Sequence, residues 1–97
     1  MQRRTLLVKN RLGLHARAAA KIVRLSNQFK SELILQRCDN GRRGDAKSIL
    51  SILALAATQG TALVLTASGE DEDLAIRQVI HLIEHQLEED DEREREP

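Results

Sequence analysis

Aromatic side chains are almost absent from this 97-residue sequence, which has no Trp, no Tyr and a single Phe, Phe29. Its core must therefore be aliphatic, and a hydrophobic content of 41% is enough to build one from Leu, Ile, Val and Ala. Cysteine is nearly missing too. Cys38 stands alone, which excludes an internal disulfide and fits a reducing compartment. Net charge is lacking: fifteen basic and fifteen acidic residues cancel, which argues against a protein held on nucleic acid by counterion release. No hydrophobic run reaches membrane-spanning length, and the start Met-Gln-Arg-Arg-Thr-Leu-Leu-Val-Lys is too short for a signal-peptide core. The expectation is a cytoplasmic protein with no membrane insertion. At this length the chain makes one small domain, which buries only about two-thirds of the surface its unfolded form exposes, so a large internal active site is excluded.

What charge there is lies unevenly, basic through Arg43 and acidic from Glu70 onward. The stretch from Arg11 to Lys21 carries the chemistry. Gly13 lets the chain bend sharply out of the run Leu6-Leu7-Val8, and Ala16 to Leu25 read as a helix of strong helix formers, which places His15 at its N-cap. The first turn of a helix leaves backbone N–H groups unpaired and carries a partial positive charge, so an anion such as a phosphoryl group finds donors there. Imidazole is nucleophilic near neutral pH and can form a covalent intermediate. Arg17 is placed to neutralise the charge that results. A lone histidine at a helix start is more often a cap than a nucleophile, so the case rests on its neighbours. Arg17, Lys21 and Arg24 share one helix face, either a solvated basic stripe or a docking surface flanking His15.

Further along, Thr5-Leu6-Leu7-Val8 within residues 3–9, Glu32 to Cys38, a short strand after the Asp39-Asn40-Gly41 hairpin signal, and Thr61 to Ser68 read as four strands. On the second, Leu33 and Leu35 point one way and Ile34, Gln36 and Cys38 the other. A second helix is expected over Ala46 to Ala57 with Ser48 at or near its N-cap, where it stabilises the helix by about 1 kcal/mol. Ile52 and Leu55 look inward, whereas Ile49, Leu50 and Leu53 make a stripe that so small a domain cannot fully cover, which marks a partner site. A third helix begins after Gly69 with acids in its first turn and buries Ile76, Val79, Ile80, Ile83 and Leu87. His81 and His85, four apart on it, could share a metal, but no third ligand is spaced to complete a site, so neither metal nor other cofactor is expected. Residues 1–88 are the expected domain, and the acidic tail 89–97 is expected to be frayed or disordered, serving solubility or screening a basic face.

The run Gly13-Leu14-His15-Ala16-Arg17, followed by small residues, resembles the active-site signature of the HPr family, histidine phosphocarriers of the bacterial phosphoenolpyruvate-dependent sugar phosphotransferase system. Ala46-Lys47-Ser48-Ile49-Leu50 resembles the family's serine motif, and Thr58-Gln59-Gly60-Thr61 and Gly69-Glu70-Asp71-Glu72 match its last turn and last helix start. The resemblance runs over about residues 2 to 88. One departure stands out: the family usually has proline directly after the motif arginine, and here the residue is Ala18, which keeps the helix but loosens the turn.

Four strands alternating with three helices fit an α/β (α+β) two-layer domain, and the resemblance implies an open-faced β-sandwich: a four-stranded antiparallel sheet with three helices on one face. It also implies a carrier rather than an enzyme. His15 accepts a phosphoryl group on Nδ1 from phosphorylated enzyme I, Arg17 stabilises it, and an enzyme IIA domain receives it, with docking through Lys21, Arg24, Ile49, Leu50 and Leu53. Ser48 is then open to regulatory phosphorylation by an HPr kinase/phosphorylase. Two alternatives remain: a regulatory relative on the nitrogen branch using the same His15 chemistry, and a binding module that works through the Ser48 surface with weak phosphorelay.

Overall fold

The protein is represented by a computed structural model, in which the structure of residues 1–94 is described. Strands β1 (Gln2–Leu7), β2 (Glu32–Arg37), β3 (Arg43–Asp45) and β4 (Ala62–Ser68) form one antiparallel sheet in the order β1-β4-β2-β3. Register follows from the apolar alternation: Leu6 sits opposite Leu63, Leu35 opposite Leu65, and Leu33 opposite Ala67. All six are buried against the helices. Ile34, Gln36, Val64 and Thr66 lie on the other, half-covered face, so the sheet is open on one side. A one-residue slip of β4 would turn Leu63 and Leu65 outward, and each fully buried Leu is worth about 1.5–3 kcal/mol.

The helices α1 (Ala16–Ser26), α2 (Ile49–Ala54) and α3 (Glu72–His81) pack on the inner face. Ala18, Ala19 and Ile22 of α1, Ile52 of α2, Leu55 just past it, and Ala75, Ile76 and Val79 of α3 complete one aliphatic core. Phe29 and Ile80 pack against its margin. Cys38, just past β2, is exposed.

The second helix is shorter than its apolar run suggests. Ala46 donates to the Leu33 carbonyl in sheet fashion, and the Asp45 side chain and carbonyl accept from Lys47 and Ser48, so the chain turns before it can coil. At the other end Leu55 and Ala56 bond three residues back, and Ala56 adopts φ 51°, which ends the helix.

The acidic end also departs from expectation. Residues 89–94, read from composition as frayed or disordered, are helical: α3 continues through a π-helical stretch, Leu82–Gln86, into α4 (Leu87–Glu94). Leu87 and Asp91 are both 1% exposed, and Asp90, Asp91 and Glu94 each meet a cationic or imidazole group of the N-terminal half. Those contacts supply the anchorage that composition alone does not reveal. Residues 95–97 of the expected tail lie outside the described residues.

Candidate functional site

Gly13 fixes the approach to α1. It has φ +66°, and a Cβ built on it would lie 2.5 Å from the Ala57 carbonyl oxygen, so both the backbone angle and the close approach exclude a larger residue. Leu14 donates to that same carbonyl at 2.9 Å, which ties the turn to the chain after α2. The chain then enters α1 with His15 as N-cap in an extended conformation, φ −75° and ψ 179°. The His15 carbonyl accepts the first helical hydrogen bond, from Ala19 at 2.8 Å, while its side chain makes no capping bond. The amides of Ala16 and Arg17 thus have no acceptor within the helix, and the half-buried His15 precedes them at the positive end of its dipole.

Beneath the imidazole lies Asp91. Its Oδ1 is 3.2 Å from His15 Nε2, and its Oδ2 accepts from Asn10 Nδ2 at 2.8 Å and from the Leu12 amide at 3.0 Å. Asn10, itself fully buried, also bonds the Gly13 carbonyl at 2.7 Å, so one side chain ties the turn and the carboxylate together. Burial pushes the Asp91 carboxyl up, but the bonds from Asn10, Leu12 and His15 outweigh it and hold it below the ordinary aspartate value.

Around this centre the basic stripe of α1 meets the acids of α4. Arg17 pairs with Glu94 and Lys21 with Asp90, and these four residues with Arg93 line a shallow surface groove. Arg24 is exposed further along. The structure therefore brings His15, Arg17 and Lys21 together, and adds to them Asn10, Asp90, Asp91 and Glu94, none of which the sequence reading singled out. Asp91 did leave a signal. It stands four residues beyond Leu87 and eight beyond Ile83, at a stripe position where an apolar residue is expected and an acid needs a partner.

The second group gathers on α2. Ser48 is its N-cap and accepts from the Ser51 amide at 3.4 Å, a long bond. Ile49 is 39% exposed, Leu50 75% and Leu53 36%, whereas Ile52 is completely buried, so the expected division of the helix into inner and outer faces holds. The rings of His81 and His85 lie with centroids 5.3 Å apart, tilted by 41°, and among the described residues no group of three or more metal-ligating side chains assembles.

The sequence profile described as the PTS HPr component phosphorylation site matches residues 2–85, from β1 through α3. The chain belongs to the HPr family. Its relatives include the phosphocarrier protein HPr of Xylella fastidiosa, 44% identical over 85 residues, which are 88% of this chain and 93% of that protein. The phosphocarrier protein NPr of Proteus mirabilis is 42% identical over 89 residues, 92% and 98% of the two chains. Among solved structures, an HPr from Thermoanaerobacter tengcongensis superposes with a TM-score of 0.83 at 37% identity, covering 90% of this chain and 96% of that one. The open-faced sandwich is thus the HPr fold, and the chain is an HPr-type phosphocarrier of the phosphotransferase system. The HPr match ends at residue 85, before Asp90, Asp91 and Glu94.

Proposed function

We propose that the chain carries the phosphoryl group on His15, taking it from the phosphohistidine of enzyme I, itself charged from phosphoenolpyruvate, and passing it to a histidine of an enzyme IIA domain. The observation that carries this reading is the place of His15: a half-exposed imidazole capping α1, inside the family match and beside free first-turn amides. Phosphoryl transfer asks for positioning and charge stabilisation more than for covalent help from the protein, and a surface site suffices when donor and acceptor are both proteins. Arg17 and the amides of Ala16 and Arg17 face the transferring oxygens. The chain is consumed and regenerated as a carrier.

Docking falls to Lys21 and Arg24 beside the histidine and to the exposed Ile49, Leu50 and Leu53 of α2. Apolar residues in the middle of a contact with charges at its edge are the usual division of labour in protein interfaces. Ser48, capping α2 next to that patch, is the point at which an HPr kinase/phosphorylase would act, since added negative charge there opposes apolar docking. Charging from phosphoenolpyruvate assigns the reaction to the cytoplasm, and no helix among the described residues is long and apolar enough to cross a membrane.

The likeness to an NPr as well as to HPr proteins supports a second reading, service on the nitrogen branch. Loading the phosphorylated protein against purified enzyme IIA domains of both branches separates the two. Rapid transfer to a sugar-specific domain supports the first reading, and transfer confined to the nitrogen-branch domain supports the second.

A further inference from the structure

We infer that Asp91 is a positioning residue for phosphoryl transfer: its buried carboxylate holds His15 with the proton on Nε2, leaving the Nδ1 lone pair as the nucleophile. This rests on the reading of His15 as the acceptor and adds to it a residue that lies beyond the family match. Both Asp91 oxygens are accounted for. Oδ2 is fixed by two donors, Asn10 Nδ2 and the Leu12 amide, so Oδ1 is turned toward His15 Nε2 with no freedom to swing away. A carboxylate in that position accepts and cannot donate, so in the neutral imidazole Nε2 must carry the hydrogen and Nδ1 the lone pair. The side chain makes no capping bond, so no first-turn amide occupies Nδ1.

The chemistry follows with its electrons balanced. The Nδ1 lone pair forms the new N–P bond, the N–P bond of the donor breaks, and the donor nitrogen keeps that pair. No proton moves: the Nε2 hydrogen stays on Nε2, and the donor, already protonated on its other ring nitrogen (or as the ammonium of phosphoramidate), leaves as a neutral amine or imidazole. The phosphorylated ring takes on imidazolium character, and its positive charge faces the Asp91 carboxylate in a site where Asp91 is only 1% exposed to water. Transfer onward reverses these steps. A carboxylate behind an imidazole serves serine hydrolases in the same two ways, fixing the tautomer and stabilising the charged ring.

The test uses the full chain and phosphoramidate, a small N–P donor that needs no docking surface. Nitrogen-15 NMR of the wild type at mildly alkaline pH reads the tautomer directly, and it is expected to show His15 protonated on Nε2 with a slowly exchanging hydrogen. In Asp91→Asn the amide oxygen stays on the Asn10 and Leu12 donors and the NH₂ turns toward His15. Nε2 then becomes the acceptor, the hydrogen moves to Nδ1, and phosphorylation slows by at least about tenfold. The corresponding carboxylate-to-amide change in a serine protease triad, which imposes the wrong tautomer in the same way, costs ~10⁴-fold. Asp91→Ala removes the carboxylate without imposing a tautomer and should slow the reaction less than Asp91→Asn. A wild type protonated on Nδ1, or folded variants that react at the wild-type rate, would overturn the inference. A wild type that takes no phosphoryl group on His15 would instead defeat the reading of the site on which it rests.

Discussion

Arg17, two residues past the histidine, forms an ion pair with Glu94, although the two belong to opposite ends of the chain. The cation proposed to meet the incoming phosphoryl group already holds an acid. Both side chains are substantially exposed, 53% and 32%, and such pairs are worth only about 0–1 kcal/mol, so the arginine is easily exchanged from carboxylate to phosphoryl oxygen. Glu94→Gln should therefore leave stability within about 0.5 kcal/mol and raise the rate of phosphoryl acceptance roughly two- to fivefold, a factor of five being about 1 kcal/mol. Arg17→Ala should slow transfer more than it weakens docking. Stopped-flow transfer read beside titration calorimetry checks both, and equal losses in rate and affinity for Arg17→Ala would remove its assignment.

The exposed apolar face of α2 gives a prediction about partners. Leu50 is 75% exposed, so Leu50→Glu should change the melting temperature by no more than about 3 °C. Binding to enzyme I should weaken about tenfold or more, because a charge is carried into an apolar contact. Unchanged affinity would remove α2 from the docking surface.

Two glycines with positive φ should respond unequally. Gly13→Ala places a methyl 2.5 Å from the Ala57 carbonyl oxygen, at φ +66°. We expect it to cost about 2–4 kcal/mol, roughly 10–20 °C in melting temperature. Gly60 has φ +92° but open space around it, so Gly60→Ala should cost only the backbone strain, about 1–2 kcal/mol. Thermal unfolding of the two side by side decides the matter; equal losses would mean that the Ala57 contact does not hold the turn.

Acid should weaken the fold at the start of α3. Asp71 accepts hydrogen bonds from the Ser31 hydroxyl, the Lys30 amide and the Ser31 amide, which hold its carboxyl down at about 2. An aspartate of the unfolded chain titrates near 3.9, so the native state binds this proton less readily than the unfolded state. The stabilisation is complete above about pH 4 and is lost as pH falls through about 2. Asp71→Asn should unfold at lower temperature than wild type at neutral pH, with the gap closing toward pH 2. A gap that stays constant would show that the charge of Asp71 does not contribute.

Much of this architecture can be read from local pattern. The alternation of Leu63, Leu65 and Ala67, the split of α2 into buried Ile52 and exposed Leu50, and the N-cap place of His15 depend on neighbours a few residues apart. The ends of α2 could not be read, because Asp45 diverts the chain at one end and Ala56 takes a positive φ without being a glycine at the other. Nor could the role of the acidic end. Its residues find their partners across the fold, 76 positions away for Asp91 and His15 and 69 for Asp90 and Lys21, and periodicity carries no information about such pairs. The run of acids therefore looked like a solvated tail when it is a helix laid along the basic face.

The central claim is that His15 takes the phosphoryl group. Wild type and His15→Ala, each incubated with enzyme I, phosphoenolpyruvate and Mg²⁺ and weighed intact at alkaline pH, where phosphohistidine survives, test it most directly. The account predicts one acid-labile phosphoryl group on the wild type and none on the variant. An adduct on both proteins, or none on the wild type while the same enzyme I phosphorylates another carrier, would contradict it.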